Sequence, residues 1–265
     1  MKSGKRPSGR YDAAGDGPLV MPTVEIDVPF EFDGTFARRL LKRKVNAKEA
    51  FTVSDPSGIY YRAALRELSE DGGVALPYER MARSPEPGLE ITLACAVLAR
   101  QRMIFVVQKA TELGVSRIVP LLTEHSVPET GLEHEKAHAW PGQVIRAAKQ
   151  CRRSSLPELA APISLDRFLA SQGTEADLSL FLDDRGKDRC DEVGKGPGDH
   201  EPEGANPPTS IILFTGPEGG FSDRERESLR AKAFPWLLGG RVLRAETAVI
   251  VGLTAVQLTW GDFRC

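Results

Sequence analysis

Residues Leu213 to Thr247 constrain this chain more than any other stretch. They read Leu-Phe-Thr-Gly-Pro-Glu-Gly-Gly-Phe-Ser, then a charged helical segment, then Leu-Leu-Gly-Gly-Arg-Val-Leu-Arg-Ala-Glu-Thr. An apolar strand runs into a glycine-rich loop, a helix follows, and a short strand runs into a Gly-Gly turn carrying two arginines. Loops of this kind at strand ends let backbone N–H and C=O groups approach a small ligand closely. Gly216-Pro217-Glu218-Gly219-Gly220 matches neither the phosphate-binding G-x-x-x-x-G-K-[ST] nor the dinucleotide G-x-G-x-x-G pattern. That disfavours a nucleotide triphosphatase and a dinucleotide enzyme. Taken alone, the pentapeptide also suits a plain strand-to-helix turn. Arg241, Arg244 and Glu246 are either helix-terminus charges or groups that hold a substrate base or a carboxylate.

The rest of the chain supplies a frame for those loops. Residues 1–18 are polar and rich in Gly and Pro, and read as a mobile tail. From Val20 to about Leu76 the pattern is one of short runs: Val24–Val28 alternates with period two, and Asp55-Pro56-Ser57-Gly58 is a turn between Phe51–Val53 and Ile59–Tyr61. This predicts a small β-rich domain over 19–84, with Tyr78–Gly88 as linker. From Glu90 strands alternate with helices. Strands are expected at Leu89–Leu98, Arg117–Leu122, Leu178–Leu182, Ile211–Phe214 and Leu237–Leu238. Helices are expected at Gln101–Leu113, within Glu133–Arg153 with an interruption at Trp140-Pro141-Gly142, and after Ser164. Further helices should follow the Ser222–Glu225 capping box and run over Ala245–Trp260. Such alternation argues for an α/β fold with a mostly parallel sheet over 89–265. Residues 184–208 are full of Gly, Pro and charge and read as an exposed insertion. From Ala248 to Leu258 the last helix carries no charge and is apolar all round. It is either a central core helix or packs one face on a second copy of the chain.

Composition excludes some classes. A net charge of −2 means that any nucleic-acid surface must be local. Cys95, Cys151, Cys190 and Cys265 lie far apart with no CxxC pair, and read as reduced thiols of a cytoplasmic protein. No signal peptide and no run of about 18 apolar residues is present, so no membrane span is expected. His134-Glu135-Lys136-Ala137-His138 matches the zinc-protease H-E-x-x-H. Its flanks are charged, Trp140-Pro141 follows at once, and neither His125 nor His200 offers a third ligand, so no metal is expected. Arg38, Arg39, Lys42, Arg43, Lys44 and Lys48 form a run without an acid, and Arg146, Lys149, Arg152 and Arg153 a second. Each is either a solvated face or a phosphate-backbone contact. Lying on different predicted domains, the two patches suggest RNA or DNA gripped between them.

Taken together, these segments resemble the SPOUT-class methyltransferases. More closely, they resemble the family that methylates N3 of a uridine in small-subunit (16S) ribosomal RNA. The resemblance covers roughly residues 90–265. It is carried by Gln108–Val115, Ala147–Arg153, Gly216–Gly220, Leu238–Thr247 and Leu258–Phe263. Arg10-Tyr11 and Phe36–Leu41 are the nearest counterparts to the family's RNA-facing N-terminal signature. The resemblance implies a PUA-like β-barrel followed by a deep trefoil knot, with the segment around Arg241–Glu246 threaded through a loop. It implies a homodimer acting on small-subunit RNA or the assembled subunit. S-adenosylmethionine is expected among three loops: after Leu182, at Thr215, Gly216, Pro217, Glu218, Gly219 and Gly220, and at Leu238, Gly239, Arg241, Val242 and Leu243, with Thr247 nearby. Arg244 and Arg241 are the candidates for orienting or stabilising the base, and Glu246 for accepting the N3 proton. Arg10 and the ten cations of the two runs are the candidate RNA contacts, Lys48 excepted. Methylation of another RNA, a non-catalytic RNA-binding protein and a zinc hydrolase are the alternatives.

Overall fold

The computed structural model describes residues 11–171, 175–183 and 206–263. The chain divides into two compact units. One holds Gly15–Pro87 and Val144–Pro157; the other holds Gly88–Gln143 and the described residues from Glu158 onward, with residues 11–14.

The first unit is built on strands β1 (Phe30–Asp33), β2 (Ala50–Ser54), β3 (Tyr60–Leu68) and β4 (Gly72–Arg80), antiparallel in the order β1-β4-β3-β2. Helix α1 (Gly34–Lys42) starts where the Asp33 carboxylate accepts from Phe36 N at 2.9 Å. Its apolar residues Phe36, Ala37 and Leu40 recur at helical spacing and pack with Phe32, Phe51, Val53 and Leu65 into one core. Full burial of a side chain such as Leu40 stabilises by roughly 2–3 kcal/mol. Three expectations are corrected here. Val24–Val28 is not a strand: Asp27 adopts φ 63° in a turn, and Ile26 and Val28 stand exposed. Its alternation never meets a partner ladder. Tyr78–Arg80 belongs to β4 and not to a linker. The end of the expected mobile tail is tied down, because Ala13 exchanges backbone hydrogen bonds with Leu159 and Asp16 with Leu156. The start of that tail lies outside the described residues.

The second unit is a parallel sheet. Its strands are β5 (Glu90–Ala96), β6 (Arg117–Leu122), β7 (Glu158–Leu159), β8 (Ile163–Ser164), β9 (Leu178–Leu182), β10 (Ser210–Thr215) and β11 (Phe234–Trp236). The order is β11-β9-β10-β5-β6-β7, with β8 also on β6, and every pairing is parallel. A sheet covered on both faces needs strands apolar throughout, and β10 is buried from Ile211 to Thr215. On one face Phe181, Ile212 and Phe214 meet Phe168 of α4 (Leu165–Leu169) and Leu229 of α5 (Asp223–Arg230). Elsewhere in the unit α2 (Arg100–Glu112) and α6 (Ala245–Thr259) pack on each other, and α6 packs on β10. Buried Gln257 of α6 is satisfied by donating to Leu113 O at 2.8 Å and accepting from Asp262 N.

Other boundaries also move. Residues 133–139 form turns, and α3 (Trp140–Gln150) begins at the Trp-Pro that was expected to interrupt a helix. Pro141 sits in the first turn, where its missing N–H costs nothing. Leu237–Leu238 lies beyond β11: Trp236 pairs with Leu182, and the chain then leaves the sheet. The last helix is not buried on every side; Val249, Leu253 and Val256 are, while Val251 is 38% and Leu258 55% exposed. Of the expected insertion, residues 184–205 lie outside the described residues.

Candidate active site

Sheet order assembles the site. β9, β10 and β11 are neighbours, so the loops after Leu182, Thr215 and Trp236 leave the same end side by side. Ligand crevices of parallel sheets form at such carboxyl ends. Here the loops enclose a cavity of about 380 Å³, in the range that takes a drug-sized ligand.

Its walls include most of the residues named from the sequence: Leu182, then Thr215, Gly216, Pro217, Glu218 and Gly220, then Leu238, Gly239, Arg241, Val242 and Leu243. Arg244 and Glu246 also line it. Gly219 and Thr247 do not. Gly219 faces His125 instead, where an added Cβ would come within 3.0 Å of the histidine Cβ, and Thr247 is exposed. Two glycines are set by backbone geometry. Gly220 (φ 69°) closes a turn through its N–H to Pro217 O, and Gly239 (φ 131°) lies in a region closed to side chains, beside open space. Ser222 then starts α5 with a complete capping box to Glu225, whose other carboxylate oxygen accepts from Glu124 N.

Electrostatics divide the walls. Arg241 and Arg244 line the cavity, are exposed, and make no ion pair among the described residues. Glu246 lies in the first turn of α6, where a negative charge suits the helix dipole. Its Oε1 stands 3.9 Å from Arg102 Nε, and its Oε2 is buried without a hydrogen-bond partner among the described residues. Arg102 also grips Glu218, and that hydrogen bond holds the guanidinium pKa above its ordinary value. Under the glycine loop, Asp183 and Arg226 form a buried pair with Nε 3.0 Å from Oδ1. Sequence reading missed Arg102, Asp183, Arg226 and Trp236. A lone arginine in a helix and a lone aspartate after a strand carry no local signal; only the sheet order brings them to one cavity.

The expected RNA contacts fare unevenly. Arg43 is 5% exposed, donates to Gly17 O and Ser154 O, and pairs with Asp16, which also takes Arg39. The run therefore has an acid after all, supplied from far along the chain. Arg153 lies past the end of α3 with its side chain 5% exposed against Glu86, so it does not share a helix face with Arg146 and Lys149. Lys149 pairs with Glu49. Arg38, Lys42, Lys44, Arg146 and Arg152 are exposed. Both runs belong to one unit, since Val144–Pro157 clusters with Gly15–Pro87, which corrects their placement on two domains. Arg10, Cys190, His200 and Cys265 lie outside the described residues.

The H-E-x-x-H segment is not a metal helix. Lys136 is left-handed (φ 56°), His134 is 86% exposed, and Glu135 accepts from Arg100 N at 2.6 Å, closing the start of α2. That backbone hydrogen bond lowers the Glu135 pKa. Among the described residues no group of His, Cys, Asp and Glu is placed to hold a metal ion. No helix among them is long and apolar enough to cross a membrane. Cys95 is no nucleophile: burial pushes its thiol up to about 12.

Comparison with known proteins fits this geometry. Residues 84–257 match the family model described as an RNA methyltransferase domain. The chain is 33% identical to ribosomal RNA small subunit methyltransferase E of Synechocystis over 79% of its own length and 66% of that protein. Among solved structures, a methyltransferase from Legionella pneumophila in complex with bound S-adenosylmethionine superposes with a TM-score of 0.63 at 29% identity, covering 92% of this chain and 98% of that one. A ribosomal RNA small subunit methyltransferase E from Neisseria gonorrhoeae bound to S-adenosylmethionine gives 0.62 at 25% identity, covering 93% and 99%. This chain belongs to the ribosomal RNA small subunit methyltransferase E family of RNA methyltransferases.

Proposed function

We propose that this chain transfers a methyl group from S-adenosylmethionine to N3 of a uridine in small-subunit ribosomal RNA. The observation that carries the reading is the three-loop cavity at the ends of β9, β10 and β11, in a fold shared with relatives that bind this donor. The residues suit the group. Gly239 leaves room beside its backbone, and the Glu246 oxygen is a buried acceptor lacking a donor. The apolar faces of Leu182, Leu238 and Leu243 line the remaining wall. When bound, the donor supplies an electrophilic methyl on its sulfonium sulfur.

The chain must solve the other half of the reaction. Uridine N3 carries a proton at neutral pH, and losing it leaves negative charge on the ring. Arg241 and Arg244, uncompensated at the mouth, are placed to stabilise that charge at a carbonyl oxygen. Glu246 is the candidate acceptor for the proton, its second oxygen held near Arg102. Fixing base and methyl in line supplies much of the remaining rate. Nucleoside mass spectrometry of small-subunit RNA from cells lacking and regaining this chain tests the reading. N3-methyluridine should vanish and return; an unchanged nucleoside profile overturns it.

The same reading carries three finer parts. The segment around Arg241–Glu246 threads a loop as a trefoil knot, a reading supported by the position of β11 beside β9 and by the motif order. Residues 19–84 form a PUA-like RNA-binding domain, supported by the antiparallel sheet of that unit. Two copies pair through the face of α6 bearing Val251 and Leu258, an apolar face open on a helix whose other side is buried. Sedimentation should give twice the chain mass, and Leu258→Arg should shift it to one.

A further inference from the structure

We propose that Arg226 and Asp183 are positioning residues that tie the end of β9 to the exit of the glycine loop before any ligand arrives. The proposal rests on reading the cavity as the methyl-donor site. Asp183 is the first residue past β9, and its N–H donates to Trp236 O at 3.2 Å, continuing the backbone ladder between β9 and β11 by one residue. Its carboxylate accepts from Arg226 Nε at 3.0 Å. The same guanidinium donates through Nη1 to Phe221 O, the exit of the glycine loop. A Cβ on Gly220 would come 3.2 Å from Arg226 Nη2, so the guanidinium lies against that loop. One planar fork therefore spans Phe221 and Asp183, and Asp183 spans to Trp236. Arg230 stands 3.6 Å from the other Asp183 oxygen and Asp223 3.6 Å from Nη1, so the pair sits inside a wider charge network.

Fold stability alone does not account for this arrangement. Both residues are buried, at 6% and 4% exposure, and a buried ion pair repays its desolvation only when its geometry is good. α5 already has a complete capping box and the buried anchor Leu229. What the pair adds is a fixed relation between Asp183, just past β9, and Phe221, at the exit of the glycine loop, two positions that the sheet does not join to each other. Preorganisation of that kind raises affinity by removing ordering costs at binding.

The test compares the full-length wild type with Arg226→Lys and with the double variant Asp183→Leu/Arg226→Met. Replacing a buried pair by apolar residues of similar volume is often neutral for the fold, so the double variant should melt near the wild type. Lysine keeps the charge but lacks the fork, so it cannot serve Asp183 and Phe221 together. Amide hydrogen exchange of the ligand-free proteins is expected to quicken at least about tenfold at residues 183 and 216–221 in both variants, while β5 and β10 stay protected. Calorimetry with S-adenosylmethionine should show affinity weakened by about tenfold, with kcat falling less than KM rises. Wild-type exchange at Asp183 and in the glycine loop of folded variants overturns the proposal. Should the double variant fail to fold, Arg226→Lys decides by the same exchange. If the wild type itself binds no donor, the functional reading falls, and loop exchange still decides whether the pair is a tether.

Discussion

Arg244 concentrates the mechanistic question in one side chain. It is the residue before α6, has extended backbone (φ −64°, ψ 151°), makes no cap through its side chain, and points no ion pair at any described residue. An exposed cation beside a ligand cavity keeps its charge at little cost to the fold and is free to meet an anion. Arg244→Ala is expected to leave donor affinity nearly unchanged while lowering methyl transfer by more than about tenfold, or roughly 1.4 kcal/mol. Single-turnover kinetics beside calorimetry measures both, and unchanged turnover removes Arg244 from the mechanism. Asp16 poses the opposite case, a charge that serves the fold. Burial pushes its carboxyl pKa up, but the Arg39 hydrogen bond and the Arg43 charge outweigh that, and the net is a lowered pKa. A lowered folded-state value means that the contribution is present above the ordinary carboxylate pKa and fades as pH falls through the folded one. Asp16→Asn should cost about 2 kcal/mol at pH 7, less than a fully buried pair because Asp16 is partly exposed. Thermal melting should show that gap narrowing as pH falls below the ordinary carboxylate range. A gap constant with pH rules out the ionised pair as its source.

At the scale of elements, what could be read from the sequence follows from the range of the interactions. Short-range signals were legible. Arg117–Leu122, Leu178–Leu182 and the Ser222 capping box stand where spacing places them, because caps and apolar runs act within a few residues. Ser222→Ala is accordingly expected to cost about 1 kcal/mol, read as a lower melting temperature. It should also quicken exchange over the first turn of α5; no change in either would mean that Glu225, bonded to Glu124 N, holds the turn alone. Long-range relations were not legible. Val24–Val28 alternates as a strand does, but a strand exists only where a ladder receives it. β11 was placed late because Leu237-Leu238 is apolar for the cavity, whereas Phe234–Trp236, with a proline inside, earns its pairing from β9. The glycine loops of the site were visible as local chemistry. The pairs Arg102–Glu218 and Asp183–Arg226, 116 and 43 residues apart, were not.

For the whole molecule, charge placement separates cations that build from cations that bind. Two runs that looked alike in sequence lie in one unit, and each contains both kinds. Arg43 and Arg153 are enclosed by Asp16, Glu86 and backbone carbonyls, while Arg38, Lys44, Arg146 and Arg152 reach solvent. Since the chain is net negative, RNA held through this exposed local surface would be released steeply by salt. Filter binding of small-subunit RNA across a salt series tests the division. Arg146→Ala and Arg152→Ala should each weaken binding and flatten the slope of log K against log salt by about 0.7–0.9, the share of one phosphate contact. Arg43→Met should leave that slope as it is and lower the melting temperature, because it removes an internal tie and exposes no lost contact. If Arg43→Met flattens the slope with melting unchanged, the guanidinium faces RNA and the buried network around Asp16 is not what holds that unit together.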